Sequence, residues 1–163
     1  MKVIFLDIDG VLNSKKTPNP RELPYIVDKK LLSRLNKLLE RTGAKVVLSS
    51  TWRIDPVGLL AAKHWGVPFI GCCPDMPESP RRKEILSWLA KHPKVTRYVV
   101  IDDEDDELDG LPLFQPSASS GLTTKISDAV EKYLAGKSDK SVRASPLVRV
   151  VQNIESIFKR DKS

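Results

Sequence analysis

Short, unbroken apolar runs alternate along this chain with stretches whose leucines and isoleucines recur at helical spacing. Val3-Ile4-Phe5-Leu6 is wholly apolar and runs into Asp7, Asp9 and Gly10. That pattern predicts a buried parallel strand over residues 3–7, with polar groups at its carboxyl end. Residues 13–27 hold Pro18, Pro20 and Pro24 among scattered polar side chains and should be irregular. From Asp28 the period changes: Leu31, Leu32, Leu35, Leu38 and Leu39 share one helical stripe, with Asp28 as N-cap and Gly43 as the stop. Lys45–Leu48 is the next strand and leads into Ser49-Ser50-Thr51. Asp55-Pro56 opens a helix, since proline suits the first helical position, and Gly66 ends it.

Val67–Ile70 reads as a third strand. A helix over 81–91 turns Ile85, Trp88 and Leu89 inward, and Arg97–Ile101 is a fourth strand ending in Asp102-Asp103. Leu111–Gln115 is a short fifth strand. Thr123 or Thr124 begins a helix carrying Ile126, Val130 and Leu134, which stops at Gly136. This alternation predicts an α/β fold: a three-layer, Rossmann-like parallel sheet of about five strands with helices on both faces. Sites in such sheets lie at the carboxyl ends of the strands, so Asp7, Ser49 and Asp102-Asp103 should meet in space.

The pattern divides the chain into one domain, residues 1–136, and a tail, residues 137–163. The tail starts as a polar linker, and Ser145-Pro146 then opens an amphipathic helix with Leu147, Val150, Val151, Ile154, Ile157 and Phe158 on one side. Its seven basic against three acidic residues make it basic, but it lacks the aromatic spacing of a nucleic-acid module. A solvated helix face is the simpler reading.

Composition narrows the picture further. A length of 163 residues with 40% apolar content suits one core and excludes a disordered chain. No apolar run approaches a bilayer span, and the stretch before Asp7 is too short for a signal peptide, so no membrane partner and a cytoplasmic location are expected. Cys72 and Cys73 are adjacent, a spacing that disfavours a disulfide and offers no zinc pattern. The net charge of +6 is uneven: seven acids fall within residues 102–109, and the remainder carries 27 basic against 14 acidic residues. A basic body around an acidic pocket suits a metal site that receives a polyanion.

The segment Val3-Ile-Phe-Leu-Asp7-Ile-Asp9-Gly10-Val11-Leu12-Asn13 resembles the first motif of the haloacid dehalogenase (HAD) superfamily, an apolar strand followed by DxDG. Three later segments resemble the superfamily's other motifs, in its order. Lys45-Val-Val-Leu-Ser49 matches the Ser or Thr at the end of the second strand, with Ser50 as the fallback. Arg81-Arg-Lys83-Glu84-Ile85 offers the basic group, Arg81 first and Lys83 second. Val99-Val-Ile-Asp102-Asp103 is the acidic pair. The Gly121-Leu122-Thr123 segment looks, more loosely, like small HAD-like domains associated with RNA-repair proteins. The tail matches no part of that pattern.

The resemblance implies a Mg²⁺-dependent phosphatase acting on phosphate monoesters. Asp7 would attack phosphorus and form an aspartyl-phosphate, while Asp9 would protonate the leaving oxygen and then activate water. Ser49 and Arg81 or Lys83 would bind the equatorial oxygens, and Gly10, Ser50, Trp52 and Arg53 would border the substrate. The Asp7 side chain, the main-chain carbonyl of Asp9 and the Asp103 carboxylate would hold Mg²⁺, with Asp102 in support. Asp at position 9 separates this pattern from the superfamily's ATPases and dehalogenases. Asp105 or Asp106 could serve as an outer metal group or be part of a solvated acidic loop.

Neither residues 14–44 nor residues 54–80 leave room for an inserted domain, so the resemblance is to a capless member. Such open sites commonly take extended substrates, here a phosphorylated partner such as a nucleic-acid end. Trp52 could stack a base and Arg53 pair with a phosphate. The commoner outcome has Trp52 packed beneath the proline-rich flap and Arg53 in a surface pair. His64 and His92 lack ligand partners at useful spacing and read as surface residues. Two other functions stay open: a catalytically weak HAD-like binding module, and a phosphotransferase that passes the phosphoryl group to another hydroxyl. The chain has no P-loop.

Overall fold

A computed structural model describes residues 1–105 and 107–137. Asp106 and the predicted C-terminal helix lie outside the described residues. In chain order the elements are β1 (Lys2–Leu6), α1 (Lys29–Thr42), β2 (Lys45–Leu48), a single 3₁₀ turn (Thr51–Arg53), α2 (Pro56–His64), β3 (Phe69–Cys72), α3 (Arg81–Ala90), β4 (Arg97–Ile101), β5 (Leu113–Phe114) and α4 (Thr124–Leu134). The five strands form one parallel sheet in the order β3-β2-β1-β4-β5, the α/β arrangement the alternation predicts. No helix among the described residues is long and apolar enough to cross a membrane.

Local chemistry explains the boundaries. The Asp28 side chain accepts the Lys30 N–H to start α1, and Gly43 ends it with φ at 66°. A glycine reaches that left-handed conformation without steric cost. Asp55 caps α2, with Pro56 at its first position, and Thr123 caps α4. The third strand starts two residues later than its apolar run predicts. The Val67 N–H is still bonded to the Ala62 carbonyl at the end of α2, and Pro68 has no N–H to give a ladder. β3 also carries an irregularity: Val46 pairs Phe69 but Val47 pairs Gly71, which leaves Ile70 as the extra residue and 56% exposed. β5 is only two residues long, hemmed in by Pro112 and Pro116.

The two faces of the sheet are covered unequally. On one, Ile4, Leu6, Val46, Leu48, Val99 and Ile101 pack beneath α1, α2 and α4. On the other, Val3, Phe5, Val47 and Val100 meet, among the described residues, only one helix, α3, through Ile85 and Trp88, and Leu108 and Leu111 of the acidic loop pack in that layer. Phe5 is held there edge-on by Trp88 and Tyr98, with ring centroids 5.5 and 5.8 Å away. Arg81, in the first turn of α3, therefore rises beside the end of β1.

Candidate active site

Asp7 is the first residue beyond β1, and its N–H still bonds the Ile101 carbonyl at 2.9 Å, so the ladder that builds the sheet also fixes its backbone. Asp102 and Asp103 leave β4 immediately beside it. One carboxylate oxygen from each of Asp7, Asp102 and Asp103 lies within 4.8 Å of the others. Such a group of hard oxygen donors suits Mg²⁺. Asp7 is 6% exposed and Asp102 is fully buried. Burial first, and then the neighbouring Asp102 charge, push Asp7 from 3.8 up to about 7, against the opposing pull of Arg81 and a hydrogen bond from Ser50. Burial and Asp102 likewise raise Asp103. Carboxylates crowded and desolvated in this way favour a cation.

Gly10 makes the crowding possible. Its φ is 68°, and a Cβ there would fall 2.1 Å from Asp103 Oδ2, so only glycine lets the β1 loop lie against that carboxylate. Gly10 thus has a backbone role.

Arg81 is the basic residue brought to the cluster. Its guanidinium pairs with Asp102 and stands 3.7 Å from Asp7 Oδ1. Lys83 is exposed on the same helix. Two positions turn a helix by about 200°, so Lys83 points away from the face that Arg81 shares with Glu84. The Arg81 N–H is accepted by the Glu107 side chain, which ties the acidic loop to the start of α3.

The two serines take different surroundings. The Ser50 hydroxyl donates to Asp7, and its oxygen also takes the Trp52 N–H as the cap of the 3₁₀ turn. Ser49 follows Leu48, the register partner of Leu6, and its hydroxyl is fully buried with no protein partner among the described residues. A buried hydroxyl without a bond costs about 1–3 kcal/mol, so an anion oxygen arriving beside it would satisfy it.

Asp9 is exposed and outside the carboxylate cluster. Its Oδ2 accepts the Trp52 indole N–H and its Oδ1 accepts the Asn13 amide, both at 2.8 Å. Asn13 also bonds Ile26 O and accepts the Gly10 N–H, so one side chain ties the flap to the loop after β1. Trp52 is 2% exposed and packs edge-on against Tyr25 of the flap. Its indole therefore orients Asp9, and base stacking at the rim is ruled out by burial.

Arg53 departs from both of its readings. Its side chain is 3% exposed and pairs with Glu84 at 2.6 Å. The guanidinium also donates to the carbonyls of Ser49, Ser50, Cys73 and Pro74. It is an internal tie beneath the second-strand loop, which corrects both the phosphate-binding and the surface-pair expectations. The physical reason is the turn at 51–53, which sends residue 53 down into the protein.

Asn13, Glu84 and Glu107 have structural parts here that sequence reasoning did not assign. The signals were faint: an Asn three residues after Gly10, and Glu84 three residues after Arg81, a spacing that puts both on one helix face. A cleft of about 400 Å³ opens beside Asp9, lined by Tyr25, Thr51, Trp52, Ile54 and Asp55. Cys72 and Cys73 are free thiols, and burial pushes Cys73 up to about 12. His92 stacks on Trp88 at 3.5 Å, and His64 is exposed. Asp105 is exposed too.

A sequence profile of the family described as the HAD domain in Swiss Army Knife RNA repair proteins matches residues 3–126. No curated protein and no solved structure matches the chain.

Proposed function

Since the chain belongs to the family of HAD domains in Swiss Army Knife RNA repair proteins, we propose that it is a Mg²⁺-dependent phosphate monoester hydrolase working through an aspartyl-phosphate on Asp7. The observation that carries this reading is the meeting of three carboxylates, from Asp7, Asp102 and Asp103, with one guanidinium beside the foremost of them. Asp7, Asp103 and Asp102 would hold the ion, with the Asp9 main-chain carbonyl as the remaining protein ligand. When bound, Mg²⁺ offsets the charge of the phosphate dianion and of the carboxylates that must approach it.

Asp7 supplies the nucleophilic oxygen, and it must be ionised to do so. Ser50 orients it, while Arg81 and the Ser49 hydroxyl offer donors to the equatorial oxygens as charge builds on them. Asp9 is held by two N–H donors at the edge of the cleft, where a leaving group would sit. There it gives a proton to the departing oxygen, then takes one from the water that releases phosphate from Asp7. The exposed setting of Asp9 and the absence of an inserted domain favour an extended substrate, and the family's RNA-repair context favours a phosphorylated nucleic-acid end.

Phosphate release from an aryl phosphate should require added Mg²⁺, stop with EDTA and return when Mg²⁺ is restored. Turnover that EDTA leaves unchanged would overturn the metal assignment. Metal-independent silence toward aryl phosphates and phosphorylated oligonucleotides alike would instead favour a binding module.

Trp52→Phe keeps most of the ring but deletes the donor to Asp9 Oδ2. It should lower kcat for phenyl phosphate about tenfold with little change in KM. The loss should shrink for p-nitrophenyl phosphate, whose better leaving group needs less acid. Equal losses on both substrates would show that Trp52 acts through packing and not through Asp9.

A further inference from the structure

Outside the acidic cluster, a strongly charged groove of about 270 Å³ lies between α1 and α4. Lys30, Arg34, Lys37 and Arg41 line one wall, and Thr124 and Ser127 line the other. The four cations sit at intervals of four, three and four residues, which keeps them on one stripe of α1. At 1.5 Å per residue that stripe is about 16 Å long, with a charge every 5–6 Å or so. This approximates the phosphate spacing of an extended nucleic-acid strand. Arg41, at the lower end, is balanced by Glu131 at 2.6 Å and Asp128 at 3.6 Å. Lys30, Arg34 and Lys37 have no carboxylate partner among the described residues, and Arg34 instead donates to the Leu122 carbonyl. Three uncompensated cations on one wall are an arrangement that favours a polyanion.

The upper end of the groove connects to the acidic site through hydrogen bonds. The Asp28 N–H, at the start of α1, bonds the Leu12 carbonyl, and the Leu122 N–H, just before α4, bonds the Val11 carbonyl. Gly121 allows this closure: a Cβ there would fall 2.5 Å from Leu31 Cδ1 and 2.9 Å from Val11 O. Residues 11 and 12 follow directly on Asp9-Gly10. The groove and the carboxylates are thus anchored to one short loop.

We infer that the α1/α4 groove is a docking track for the phosphodiester backbone of single-stranded RNA, with Lys30, Arg34 and Lys37 on successive phosphates and the exposed Thr124 hydroxyl available to the ribose. Charge complementarity commits the groove to a polyanion. The choice of RNA rests on the proposed reading of the neighbouring site as one for a phosphorylated nucleic-acid end, whose continuity with the groove gives the strand a direction. The binding itself does not depend on turnover.

The test uses the full chain in EDTA, so that the basic tail is common to every variant and no hydrolysis occurs. Anisotropy of a labelled oligouridylate is read against salt. Lys30→Gln with Lys37→Gln, both exposed side chains, should weaken binding about tenfold at low salt. The slope of log affinity against log salt should become shallower by about 1.4, or 0.7 for each lost contact to a single strand. Lys91→Gln with Lys94→Gln, an equal charge change at the end of α3 on the other face of the sheet, should leave both nearly unchanged. An unaltered slope in the groove variant, or an equal loss in the control, would overturn the inference. So would displacement of the RNA by polyglutamate as readily as by unlabelled oligouridylate, since that would make the groove an acidic-peptide site. A chain that binds RNA in this way but never releases phosphate would defeat the hydrolase reading alone.

Discussion

Asp7→Asn should reduce phosphate release from an aryl phosphate by at least about 10³-fold and, at the same time, make the metal-free protein more stable at alkaline pH. The first effect follows from removing the carboxylate proposed as the nucleophile: an amide cannot form the acyl-phosphate, and the remaining groups would still bind substrate. The second follows from burial. Asp7 ionises at about 7 in the folded protein against 3.8 for an unperturbed carboxyl, with burial as the leading cause. A raised acid contributes its stability below about pH 4, where both folded and unfolded chains are protonated, and loses it as pH climbs through about 7. Across that window the wild-type protein in EDTA should lose about 2–4 kcal/mol that the Asn variant keeps. Urea unfolding in EDTA at pH 5 and pH 8 measures the difference, and Mg²⁺ should restore the wild type selectively. Near-native turnover by Asp7→Asn would end the proposed mechanism, whereas parallel pH profiles would refute only the burial argument.

Arg53→Ala should be severely destabilising. The wild-type guanidinium is nearly inaccessible, paired with Glu84, and bonded to four main-chain carbonyls of two adjacent loops. Removing it strands a buried carboxylate and leaves those carbonyls without their donor, at a cost of about 3–5 kcal/mol. For a chain of this length that amounts to a fall in Tm of roughly 10 °C. Arg53→Lys keeps the charge but cannot span both loops with a planar fork, so its loss should be intermediate. Because the same carbonyls belong to Ser49 and Ser50, kcat should also drop at temperatures well below the new Tm. A loss under 1 kcal/mol for Arg53→Ala would show that water replaces the guanidinium and that the tie is dispensable.

These two residues mark the limits of what could be read in advance. Asp7 was legible because its position depends on the chain around it. An unbroken apolar run must be a buried strand, and in a parallel sheet the residue after such a strand lies at the carboxyl edge. The same logic located Asp102-Asp103 and the ends of α1, α2 and α4, where Asp28, Gly43, Asp55 and Thr123 act through neighbours only a few residues away. The third strand was misplaced because β3 is an edge strand whose start depends on where α2 releases Val67 and on a local irregularity at Ile70.

The packing of Trp52 beneath the flap agrees with the sequence reading, but its bond to Asp9, the burial of Arg53 and the separate surroundings of Ser49 and Ser50 could not be obtained in that way. Trp52 reaches Asp9 across 43 residues and Arg53 reaches Glu84 across 31. Nothing in the composition of either segment encodes such a partner. Whether an aromatic or a cation faces solvent or the interior is settled when loops from different strands close over one another. The local pattern of apolar and acidic residues was sufficient to establish the α/β sheet, its family likeness and the carboxylates at its edge. Which basic residue joins them, which serine touches Asp7 and what holds Asp9 outward were set by folding, because hydrogen bonds between distant segments form only where the backbone brings them within about 3 Å.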